Sequence, residues 1–188
     1  MNLLLLGSRD FSRTVFELVA QCGHLAVGRV DDFCDGPGIL GTFEEIQATH
    51  PPDSFGMAMA IGYSDLTARR RAWERIRDRG YATPALVHPR AYVADSATVG
   101  EGAIIMAGAI VDSRATIGDA AVIWPGSCVN HDATVEANVF LSPSVTVCGH
   151  AVIGSDTFIG AGSVVVDHGV VPRGSFIRMM TAVTRRSQ

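Results

Sequence analysis

The stretch IGDAAVIWPGSCVNHDATVEANVFLSPSVTVCGHAVIG, residues 117–154, places an aliphatic side chain at every sixth position: Ile117, Ile123, Val129, Val135, Leu141, Val147 and Ile153. The spacing extends back to Val93 and forward to Ile177. Val, Ile and Leu supply only 43 of the 188 residues, so fifteen successive hits are not chance. Two positions before each aliphatic residue the side chain is usually small, as at Ala109, Ala121, Ser127 and Ala133. Glycine often follows it, as at Gly100, Gly118, Gly154 and Gly160.

A six-residue period predicts a parallel β-helix. Each unit is one short strand and a corner. The aliphatic residue points into a narrow prism, the small one lets the chain turn, and glycine supplies backbone freedom at corners. A single unit cannot bury its inner face, so units must stack. Three units close a coil of eighteen residues, and successive coils rise by about 4.8 Å, the spacing of paired strands. Residues 91–171 provide between four and five coils. A β-sandwich would instead break its alternation with turn clusters roughly every 8–12 residues.

The first half has a different texture. Residues 3–6 read as a buried strand, followed by a helix with Phe11, Val15, Leu18, Val19 and Cys22 on one face. Ser8 or Asp10 is placed to cap its start and Gly23 its end. LAVGRVDD is a second strand, and TFEEIQAT a short helix with Thr42 and Glu45 as a capping box. FGMAMAIG is a third strand. SDLTARRRAWERIRDRG is a helix with Leu66, Trp73 and Ile76 inward and Gly80 closing it. This alternation predicts a small parallel α/β, Rossmann-like domain over residues 1–83, followed by the β-helix over 84–188.

Ligands of such sheets bind at the carboxyl ends of strands. Those ends are Gly7 and Ser8, Asp31 and Asp32, and Ile61, Gly62 and Tyr63, the candidate substrate-binding residues. Asp31 and Asp32 suit ribose or sugar hydroxyls, and equally suit a solvated turn. The full G-x-G-x-x-G fingerprint of a pyrophosphate cradle is absent, since GSRDFSR keeps only Gly7. The arginines at 69, 70, 71, 75, 77 and 79 read as a solvated helix face with Glu74 and Asp78 as partners.

Composition removes several function classes. Hydrophobic residues make up 47% and charged residues 18%, enough apolar content for a packed core. The net charge of −4 argues against a nucleic-acid partner. All fifteen basic residues are arginine, which excludes catalytic lysine and Schiff-base chemistry. Cys22, Cys34, Cys128 and Cys148 form no C-x-x-C pair and read as reduced, buried thiols, Cys128 as a core filler rather than a nucleophile. MNLLLLGSRD is too short in its apolar run for a signal peptide, and no stretch reaches membrane-span length. A soluble, cytoplasmic protein is expected, with no membrane partner.

Within the coils, VNHDATV sets a titratable pair, His131 and Asp132, among small and aliphatic residues. This stretch, with LLLLGS, AIGYSDLTARRR, LVHPRAYV and VCGHAVIGSDTFIGAGSVV, resembles the bacterial sugar N- and O-acetyltransferases of the sialic-acid O-acetyltransferase and bacillosamine N-acetyltransferase family. The resemblance covers nearly the whole chain. It implies a left-handed winding, a homotrimer, acetyl-CoA as co-substrate with no metal, and a sugar or nucleotide-sugar acceptor. It also implies that His131 is the general base, that Asp132 orients it, and that the backbone N–H of Gly149 polarises the thioester carbonyl. His150, Ala161 and Gly162 join Gly149 as candidate coenzyme A residues. Gly149 lies eighteen positions after His131, one coil above it. Acyl transfer needs a base effective near neutral pH and a donor aimed at the developing oxyanion, and these residues match that need.

The chain departs from the family in three places, one of them the degraded first glycine-rich loop GSRDFSR. Phe140 stands where relatives carry a second histidine, and the end reads RGSFIRMMTAV rather than AG-x-PA-[KR]. Tail arginines Arg173, Arg178, Arg185 and Arg186 are weak candidates for coenzyme A phosphates. His88 reads as a junction residue and His168 as structural. Two other classes share the fold. One is a non-catalytic scaffold. The other is a zinc enzyme like the γ-class carbonic anhydrases, for which His131, His150 and His168 would be ligands.

Overall fold

The computed structural model describes residues 1–184 and divides the chain into two compact units, Met1–Leu86 and a second beginning at Val87. The division lies close to the expected border between 83 and 84. Arg185 and Arg186 lie outside the described residues.

The first unit contains β1 (Asn2–Leu6), α1 (Asp10–Gln21), β2 (Leu25–Val30), β3 (Gly56–Met59) and α2 (Leu66–Asp78). The strands form a parallel sheet in the order β2-β1-β3. Its central strand is the run Leu3–Leu6, buried on both faces, which is why it is apolar without alternation. Helix α1 packs on β1 and β2 through Val15, Leu18 and Val19, and α2 packs on β3.

Local details correct several sequence expectations. Neither Ser8 nor Asp10 caps α1. Arg9 holds the cap position without a side-chain bond. Ser8 instead gives both its N–H and its hydroxyl to Asp31 Oδ2, at 2.9 and 2.6 Å. Thr42 and Glu45 do bond reciprocally, but the element they open is one short 3-10 turn, Glu45–Ala48. Asp65 caps α2 by accepting from the Ala68 N–H at 2.8 Å.

The arginine face is not uniformly solvated. Arg69 is 0% exposed, with Nε donating to the Ile61 carbonyl at 3.0 Å, and burial lowers its pKa to about 9. Arg75 reaches Asp32 at 2.6 Å and lies over the Phe43 ring. Arg79 pairs with Glu44 and Gln47. Asp32 and Glu44, from other elements, contribute carboxylates to this face.

The second unit is a left-handed parallel β-helix built as three sheets of six, six and five two-residue strands. Each strand pairs with the one eighteen residues away: Val122 with Phe140, Cys128 with Thr146, Thr134 with Val152. The coils run one unit further at each end than the series from 93 to 177, because Val87 and Val183 also pack on the core. Inside, the aliphatic residue and the small residue two before it are both buried. Ile105, Val111, Ile123, Val135 and Leu141 interleave with Ala103, Ala109, Ala121, Ala133 and Val139. Burying one such aliphatic side chain contributes about 1.5–3 kcal/mol.

Three buried small-residue positions carry hydroxyls, and each is satisfied by the neighbouring coil. Ser127 Oγ donates to the Ser142 carbonyl and accepts from the Val145 N–H, at 2.9 and 3.2 Å. Thr157 and Ser163 repeat the arrangement. A buried hydroxyl without partners would be costly, and here it crosslinks coils instead.

Glycine does supply freedom at some corners, with positive φ at Gly102, Gly108, Gly126, Gly162 and Gly174, but other residue types fill the rest. From Ile105 onward the residue three before each inward aliphatic takes positive φ, including Arg114 at 58°, Asp132 at 58°, His150 at 55° and His168 at 56°. Gly100, Gly118, Gly154 and Gly160 sit elsewhere in the unit and serve close approach rather than turning. A Cβ on Gly118 would stand 2.6 Å from the Ala137 nitrogen of the next coil. Cys128 is also not a core filler. Val129 takes the inward position, and Cys128 is half-buried on the outer side of its strand, as are the other three thiols in exposure. Burial pushes the Cys128 thiol up, away from the reactive thiolate.

Candidate active site

A coil of eighteen residues stacks equivalent corner positions in columns. One column holds Arg114, Asp132, His150 and His168. The position before it holds Ser113, His131, Gly149 and Asp167. Backbone bonds lock the register: Asp132 N–H to the Ser113 carbonyl at 3.1 Å, His150 N–H to the His131 carbonyl at 3.2 Å, and His168 N–H to the Gly149 carbonyl at 2.9 Å. The left-handed conformation at Asp132 and His150 swings these side chains outward from the prism, beside His131.

The His131 side chain is 49% exposed and faces away from the prism interior. Its Nδ1 is 2.9 Å from Asp132 Oδ2. Asp132 is gripped from the coil below by Arg114, with Nε on Oδ1 at 2.7 Å and Nη2 on Oδ2 at 2.8 Å. Arg114 first and His131 second hold the Asp132 carboxyl well below the usual carboxylate range. An ionised Asp132 can only accept, so Nδ1 carries the proton in this contact. The Nε2 lone pair is then available to take a proton from a reacting group.

Gly149 is the neighbour of that ring. A Cβ built on it would stand 2.8 Å from His131 Cε1, 2.9 Å from Nε2 and 3.1 Å from Asp167 Oδ1. Glycine here makes room for the imidazole. Among the described residues no acceptor takes the Gly149 N–H. Gly149→Ala keeps an ordinary backbone conformation but must push the ring off Asp132. A displacement of about 1 Å in a reacting group can cost about 10²-fold in rate. A turnover loss of that order, with an unchanged melting temperature, is expected. Full activity in Gly149→Ala would show that the ring's position does not matter.

The other histidines of the column also meet here. The His150 ring stands edge-on to His131 at 5.3 Å, and its Nε2 is 3.9 Å from Asp132 Oδ2. His168 stacks flat on His150 at 4.6 Å. Ala161 and Gly162 lie on a different corner of the prism, Gly162 N–H bonding the Pro143 carbonyl at 3.0 Å. Phe140 is buried and belongs to an aromatic column with Phe158 and Phe176.

In the first unit, Gly7 turns at φ 113°, and a Cβ there would meet the Ala60 carbonyl at 2.9 Å, so the ends of β1 and β3 approach closely. Ile61 and Gly62 are half-buried beside Tyr63, which is exposed. Asp31 accepts from Ser8, Phe33 and Cys34. Asp32 accepts from the Phe43 N–H and Arg75. Both carboxylates therefore already hold their own loops in place, and neither is a solvated turn residue.

Arg114 is the residue of this corner that the sequence reading passed over. Its signal was available: it lies one coil period before Asp132, on the same corner.

Residues 96–131 and 132–167 match the bacterial transferase hexapeptide family model, six repeats each. No curated protein matches the chain in sequence. Among solved structures, a histidine-to-alanine mutant of GDP-perosamine N-acetyltransferase from Caulobacter crescentus, in complex with CoA and GDP-perosamine, is 25% identical. Its TM-score is 0.90, with 99% of this chain and 90% of that one covered. The acetyltransferase domain of PglB from Neisseria gonorrhoeae FA1090 is 25% identical, with a TM-score of 0.89 and coverage of 100% and 93%. The same domain in complex with acetyl coenzyme A is 26% identical, with a TM-score of 0.84 and coverage of 97% and 92%.

Proposed function

Taking the chain as a hexapeptide-repeat transferase of the bacterial sugar acetyltransferase type, we propose that it transfers the acetyl group of acetyl-CoA to an amino or hydroxyl group of a nucleotide-linked sugar. The observation that carries this reading is the corner where Arg114, Asp132 and His131 are linked in series beside Gly149. One structural neighbour is a GDP-perosamine N-acetyltransferase, which favours an amine as the nucleophile.

In this reaction the acceptor nitrogen attacks the thioester carbonyl carbon, and His131 Nε2 removes its proton as the new C–N bond forms. The carbonyl oxygen becomes an oxyanion and accepts from the Gly149 N–H, a donor of a kind worth about 2.7–4 kcal/mol in other enzymes. Collapse breaks the C–S bond, and the departing thiolate takes up the proton held by His131. No covalent intermediate on the protein is required. His150, Ala161 and Gly162 contribute to holding coenzyme A.

The α/β unit supplies the acceptor-binding loops. In a sheet ordered β2-β1-β3 the strand order reverses between β1 and β3, which makes the carboxyl ends at Gly7 and Ser8 and at Ile61, Gly62 and Tyr63 the favoured ligand loops of a Rossmann-like domain. Asp31 and Asp32 contribute by shaping these loops through their internal bonds. The protein works as a homotrimer in the cytoplasm. The exposed, in-register apolar residues Tyr92, Ile110 and Val164 on one face of the prism support self-association. Among the described residues no helix is long and apolar enough to cross a membrane.

The test is an incubation of the purified chain with acetyl-CoA and a panel of GDP- and UDP-linked amino sugars, followed by loss of thioester absorbance and mass analysis of the sugar. An N-acetylated sugar is expected. A chain that neither binds coenzyme A nor consumes the thioester with any acceptor is a scaffold.

A further inference from the structure

The donors at the His131 corner are also arranged for a metal ion. One ligand atom each from His131, Asp132 and His150 lies within 4.8 Å of the others. The two contacts to Asp132 Oδ2 are 2.9 Å from His131 Nδ1 and 3.9 Å from His150 Nε2. Ligands about 2.0–2.2 Å from a tetrahedral zinc ion stand roughly 3.3–3.5 Å apart, between these two values. All three side chains remain partly open to solvent, so an ion has a path and a water can complete its shell. Two imidazoles and one carboxylate suit zinc and its transition-metal neighbours and suit magnesium or calcium poorly.

We propose that His131, Asp132 and His150 bind a single zinc-class divalent cation that blocks the enzyme reversibly rather than assisting it. The ion takes the place of the proton on His131 Nδ1, the neutral ring then carrying its proton on Nε2, and draws Asp132 Oδ2 away from Arg114 Nη2, while Arg114 Nε keeps Oδ1. A zinc-bound, repositioned imidazole no longer has the ring placement and the Asp132 contact that a base requires. Inhibition rests on the function proposed above, but metal binding does not. The His168 ring stacks on His150 and is not among the three donors.

The test uses the tag-free full chain and Zn2+ alone. Equilibrium dialysis followed by metal analysis should find one zinc per chain at tens of micromolar free ion. His150→Gln and His131→Gln should each weaken binding by about tenfold or more, and His168→Gln should bind as the parent does. Co2+ in place of Zn2+ should give the strong visible absorption of a tetrahedral site and lose it in His150→Gln. Where transfer is measured, Zn2+ should inhibit the parent and a chelator should restore it. Absence of stoichiometric zinc, or binding unchanged in His150→Gln, overturns the site. Zinc binding with His168→Gln weakened equally overturns the assigned donors. Stoichiometric binding without inhibition overturns the blocking role. A chain that binds zinc as described but transfers nothing from acetyl-CoA sinks the function while leaving the metal site standing.

Discussion

Replacing His131 with alanine is expected to lower kcat by about 10²–10⁴-fold, the usual worth of a positioned general base, while the coils melt at the temperature of the parent. The structure separates these two outcomes. His131 is half exposed and contributes nothing to the buried column of Val129, Val135 and Val147, so its loss leaves the packing alone. Its backbone carbonyl, which accepts from the His150 N–H, survives the change. What disappears is the one lone pair beside Gly149 that is aimed away from Asp132. Binding of coenzyme A, measured by calorimetry, should hold in the variant, because in the proposed reaction the ring acts on the acceptor's proton and not on coenzyme A. A variant with parental kcat would remove His131 from the mechanism. A variant that fails to fold would show that the corner needs the ring for stability, and His131→Gln would then carry the kinetic comparison.

The repeat, the parallel α/β unit and the pairing of His131 with Gly149 were all legible because each depends on a period. A six-residue spacing names the inward face, and its triple names what lies one coil above. What the period does not mark is backbone conformation at the corner. The left-handed position is filled by Gly108, Arg114, Ala120, Gly126, Asp132, Asn138, Ser144 and His150 in turn, so glycine marks only some of the corners. The eye settles instead on the glycines at 100, 118 and 154, whose role is to let the next coil approach. Arg69 was missed for another reason. It lies on the same helical stripe as Trp73 and Ile76, four and seven residues on, and so faces the interior, but its charge suggested solvent. Asp31 and Asp32 were correctly placed at a strand end. Their use by Ser8, Phe33, Phe43 and Arg75 depends on loops that no local pattern specifies.

Asp132→Asn should be nearly as damaging as loss of the imidazole, and the reason lies in which nitrogen keeps the proton. Asparagine tolerates the φ of 58° found at this position, so the corner should fold. It carries no charge, and Arg114 then has no carboxylate to grip. If the amide turns its NH2 toward Nδ1, the imidazole must accept there and hold its proton on Nε2, which cannot act as a base. In a serine-protease triad the corresponding change costs about 10⁴-fold. A loss of about 10²–10⁴-fold is expected here, because this ring is more exposed and can reorient. Arg114→Gln separates orientation from charge. Asp132 owes its lowered pKa first to Arg114. A carboxyl with a depressed folded pKa contributes its interaction above the unfolded value and loses it as pH falls through the folded one. In the parent that loss falls well below the usual carboxylate range, so Asp132 stays ionised wherever the chain is assayed near neutral pH. Removing Arg114 takes away the first cause of the lowered Asp132 pKa, so the contribution of Asp132 should be lost at higher pH than in the parent, with a smaller loss of kcat at the plateau than in Asp132→Asn. Profiles of kcat against pH that coincide for the parent and Arg114→Gln would show that the arginine only braces the corner.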